Sequence, residues 1–91
     1  MKACRRGHIV EAWIADFSWN RVPPQWLIEA MLAGEIRRDE QTGEVWVTHP
    51  VEQKVEQGDV IVRNSVLDLI VVPRDEFDRD YVWFKEPPLP F

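Results

Sequence analysis

Ninety-one residues, 45% of them hydrophobic and five of them tryptophan, make one domain with enough apolar area for a packed core without metal or disulfide staples. Sixteen acidic residues against eleven basic give a net charge of −5, which opposes non-specific attraction to phosphate backbones and makes nucleic acid a poor partner. The single cysteine, Cys4, admits no internal disulfide, and no apolar run approaches the roughly 20 residues that cross a bilayer, so the expectation is a soluble cytoplasmic protein with no membrane partner. The acidity is uneven: residues 1–38 carry six Lys/Arg and four Asp/Glu, a balance of +2, whereas residues 39–91 carry five and twelve, a balance of −7.

The start, Met1-Lys2-Ala3-Cys4-Arg5-Arg6, lacks the hydrophobic stretch of a signal peptide, and Cys4 is expected to be inert near a frayed terminus. From His8 to Phe17, β-branched and aromatic residues alternate with Val10, Ala12 and Ile14 on one face. The other face carries Ile9, Glu11 and Trp13, so neither side is cleanly polar and the strand is expected in a sheet interior.

Pro23-Pro24 opens a helix over 25–33, and Gly34 suits the left-handed residue that closes it. Trp26 with Ala30, Leu27 with Met31 and Ile28 with Leu32 are i,i+4 pairs, leaving only Gln25 and Glu29 clearly polar, so burial or a partner is expected over most of its surface. Glu35–Arg38 and Glu44–Thr48 flank the polar link Asp39-Glu40-Gln41-Thr42-Gly43 and read as an antiparallel hairpin. A weak strand over Val51–Val55 leads to the Gly58-Asp59 turn, and Val60–Arg63 with Val66–Val72 are the most strand-like runs, expected at the sheet centre.

Pro73 stops the last of these strands. Asp75 is placed to cap a short helical turn that brings Phe77 and Tyr81 to one side at i,i+4 spacing. Lys85-Glu86-Pro87-Pro88-Leu89-Pro90-Phe91 is too proline-dense for helix or sheet and reads as an extended tail. The expected fold is α+β: a small, mainly antiparallel sheet of about five strands packed against one α-helix, with a short C-terminal helical turn. Residues 1–84 form the domain and 85–91 the Pro-rich tail.

The residue inventory offers little for catalysis, cofactors or metals, and none is expected. Glu11 and Asp68, within apolar runs, are the carboxylates that a shared site would pair, with Arg63 or solvent as the plainer partner. Cys4, His8 and His49 are the soft or imidazole ligand candidates, and an extended path would hold Cys4 and His8 about 13 Å apart, too far to share a zinc ion. Ser18 and Ser65 lack a nucleophile elbow, an oxyanion hole or a triad.

Surface chemistry carries more. Trp13, Trp26 and Trp46 read as core, whereas Trp19, between Ser18 and Asn20, and Trp83, beside the tail, are expected at the surface as anchors for a protein. Asp75, Glu76, Asp78 and Asp80 form a dense negative patch that would also imitate phosphates in a nucleic-acid groove, or act only as a solvated turn. Gly58-Asp59 reads as a structural turn, because glycine reaches positive φ and aspartate bonds its own backbone.

In order, these features resemble a family of small, functionally uncharacterised phage and prophage proteins over roughly residues 5–82. Such proteins start with a basic residue, a β-rich stretch and an Ile/Val-Glu-Ala step followed by an aromatic, here Arg6-Gly7-His8-Ile9-Val10-Glu11-Ala12-Trp13. A Pro-x-Trp helix follows, matched by Pro24-Gln25-Trp26, then a strand entering a Pro-Gly-Asp-aromatic-Ile-Ile turn, whose place is taken by Gln57-Gly58-Asp59-Val60-Ile61-Val62-Arg63. The ending, a Gly-Glu-containing strand and then Pro-Asp-x-Phe and Tyr, aligns with Asp68 through Tyr81. Gln57 replaces the proline, Val60 the aromatic, Asn64 a glycine, and Leu67-Asp68 the Gly-Glu pair.

The resemblance implies no reaction. With the acidic and aromatic surface it sets the expectation of a noncatalytic accessory protein that binds a protein of the bacterial host. The alternatives are a self-associating, virion-associated module built through a strand edge or the tail, and an acidic mimic of nucleic acid that inhibits a host protein.

Overall fold

The computed structural model describes residues 2–5, 8–18, 22–48, 51–63 and 68–84. The fold is α+β and sheet-dominated, with strands β1 (Lys2–Arg5), β2 (His8–Ile14), β3 (Ile36–Arg38), β4 (Val45–Val47), β5 (Gln53–Val55), β6 (Val60–Arg63), β7 (Leu69–Val72) and β8 (Val82–Phe84). Helix α1 spans Gln25–Leu32 and α2 spans Arg74–Asp80. Five strands form one antiparallel sheet in the order β7-β6-β2-β1-β8, and β3-β4-β5 form a second, also antiparallel.

The central strand is β2, whose unpolarised pattern predicts its interior place. The β6–β7 pair, expected at the centre, instead fills one flank, with β7 at the edge. The N-terminal segment expected to fray is β1, with Cys4 opposite Ile9 on one side and Val82 on the other. Because β1 and β2 are antiparallel, with Arg5 opposite His8, the extended path that would separate Cys4 and His8 does not exist.

Strand alternation divides the five-stranded sheet into two faces with different cover. One face, through Ala3, Val10, Ala12, Val60, Val62 and Val72, packs on Phe77 and Tyr81. The other, through Ile61, Leu69 and the half-buried Trp13 and Val71, meets Trp26, Leu27 and Ala30 of α1 and the inward residues Ile36, Val45, Val47 and Val55 of the second sheet.

Helix α1 ends in a Schellman closure, with Gly34 at φ +80°, its N–H donating to Met31 O (3.2 Å) and Glu35 N–H donating to Ala30 O (2.9 Å). Its buried face is a stripe of Trp26, Leu27 and Ala30, while Leu32 is exposed, so of the burial or partner expected for this helix the fold itself supplies burial on one stripe. Helix α2 follows Pro73, and Asp75 lies in its first turn without serving as the cap, because no side chain bonds the leading amides. A carboxylate there still meets the positive end of the peptide dipoles.

Candidate functional site

The Gly58-Asp59 corner is a hydrogen-bonded joint between β5, β6 and the end of β2. Asp59 N–H donates to Glu56 O (3.0 Å) across a turn in which Gly58 has φ +89°, the geometry of a type II turn. Asp59 Oδ2 accepts Glu56 N–H at 2.9 Å, and the corner grips Ala15 through Gly58 N–H to Ala15 O (2.9 Å) and Ala15 N–H to Asp59 O (2.7 Å). Gln57 accepts Phe17 N–H on Oε1 at 2.9 Å. The Gly58 and Asp59 amides and Asp59 Oδ2 are thus committed to the backbone.

The acidic candidates stand on α2. Phe77 is 0% exposed, stacks on Tyr81 with centroids 4.5 Å apart and planes 5° apart, and so fixes the helix on the sheet. Arg5 adds its guanidinium over the Tyr81 ring at 5.5 Å. The i,i+4 pairing expected from the sequence is therefore the seam of the helix, and Asp75, Glu76, Asp78 and Asp80 are exposed outside it.

Two of these four carboxylates are partly neutralised within the helix. Arg74 Nε donates to both Asp78 oxygens at 3.0 and 3.1 Å, and Arg79 Nε to Asp80 at 3.4 Å. Asp75 and Glu76 take no ion pair among the described residues. The charge of this helix that is free of ion pairs among the described residues sits at its N-terminal end.

Of the two aromatic anchors, Trp19 lies outside the described residues, as do His49, Ser65 and the tail at 85–91. Trp83, expected at the surface, is half-buried, with its ring 4.7 Å from that of Phe77 and tilted by 46°, because β8 turns it inward onto the face that α2 covers. Glu11 and Asp68 do not form a pair: Glu11 stands in register between Lys2 and Arg63, and Asp68 is exposed ahead of β7. No group of three or more His, Cys, Asp or Glu suited to a metal ion occurs among the described residues.

The sequence reading missed a second surface. Cys4 lies directly between Ile9 and Val82 on the face whose α1 cover stops short of β1 and β8; Ile9 is 60% and Val82 72% exposed. This apolar row runs out to β8, an edge strand without a charged side chain. Ile9 beside Val10 was the available signal, but its exposure depends on where α1 lands. No protein-family profile, curated protein or solved structure matches the chain.

Proposed function

We propose that this chain is a noncatalytic, phage- or prophage-encoded accessory protein that binds another protein, in the cytoplasm of the bacterial host, through the outer face of α2. The observation that carries this reading is the division of α2: Phe77 is wholly buried, while Asp75 and Glu76 are exposed and without ion pairs among the described residues. A short helix pinned by a stacked aromatic pair holds its charges at low entropic cost, and such charges steer a basic surface and set its orientation. Protein capture from a bacterial lysate tests it, comparing the wild type with D75K/E76K. A specifically retained protein that the double variant releases is the expected result; an identical or empty profile with both removes the reading.

The row of exposed Ile9, half-buried Cys4 and exposed Val82 at the β8 edge favours a second reading, a self-associating or virion-associated module. Sedimentation over a range of concentrations separates the two, because α2 binding needs a foreign partner and edge pairing does not.

A further inference from the structure

We draw no further inference here: the strongest candidate, the apolar patch of Ile9, Cys4 and Val82 beside the β8 edge of the large sheet, is an unpartnered face, and nothing in the structure shows what covers it.

Discussion

Gln53 accepts the amide of Val71 on Oε1 at 3.0 Å and returns Nε2–H to Leu69 O at 3.4 Å, so one carboxamide from β5 stands in for a neighbouring strand along β7. The large sheet thus treats its two edges differently. At β7 two outward-facing backbone groups are occupied, and at β8 no described residue does the same. Unoccupied edges are where sheets recruit further strands.

Removing that carboxamide should cost more than an ordinary surface truncation, because Val71 N–H is part-buried and loses its acceptor. Q53A is expected to lose about 1–2 kcal/mol of unfolding free energy in urea, with faster hydrogen exchange at Val71 than in the wild type. Unchanged exchange at Val71 would show that the side chain does not guard the edge.

Legibility in the sequence followed the range of the interactions. Helix α1, the 36–47 hairpin and β6 are set by local periodicity, by Pro23-Pro24 and by glycines at positive φ, and they stand within a residue or two of where those signals put them. Strand β8 was illegible because it is short and gains its structure from a partner far away, Lys2 pairing with Phe84 across the chain, while β1, which pairs locally with β2 from Arg5 opposite His8, is too short to show a period of its own. The acidic face of α2 followed from the Phe77–Tyr81 spacing, whereas the exposure of Ile9 arises from how α1 sits on the sheet, which no local pattern encodes.

At Gly58 the expected penalty is one of backbone conformation alone. A Cβ there would meet nothing within 4 Å, but φ +89° disfavours L side chains. G58A is therefore expected to lose about 1–2 kcal/mol, a fall in Tm of roughly 5–15 °C, and G58N less, since asparagine tolerates positive φ. Equal melting of G58A and the wild type would mean the corner relaxes freely and is not the joint that its bonds to Ala15 describe.

The hairpin between β3 and β4 holds an acid-sensitive contact. Asp39 Oδ1 accepts Gln41 N–H at 2.8 Å and Thr42 N–H at 3.3 Å, and these backbone bonds, Gln41's foremost, hold its carboxyl below the ordinary value of 3.8. A carboxyl depressed by folding stabilises fully above its unfolded value, and that contribution disappears as pH falls through the folded one. Stability is thus expected to decline below pH 3.8 partly through Asp39, and D39N should flatten that limb. NMR titration of the Asp39 carboxyl checks the sign directly, a midpoint above 3.8 being the contrary result.

The β8 edge, unpaired among the described residues, and its apolar row make the last prediction. Ile9 and Val82 are largely exposed, so I9K and V82K should each leave folding free energy within about 0.5 kcal/mol of the wild type. A lysine at either position places charge in the Ile9–Cys4–Val82 row, as natural sheets do where pairing must be prevented. If the row is a self-association surface, the wild type will show a sedimentation coefficient that rises with concentration, and both variants will remain at the monomer value. A wild type that sediments alike at every concentration leaves the row unused by a second copy, and binding through α2 becomes the reading to pursue.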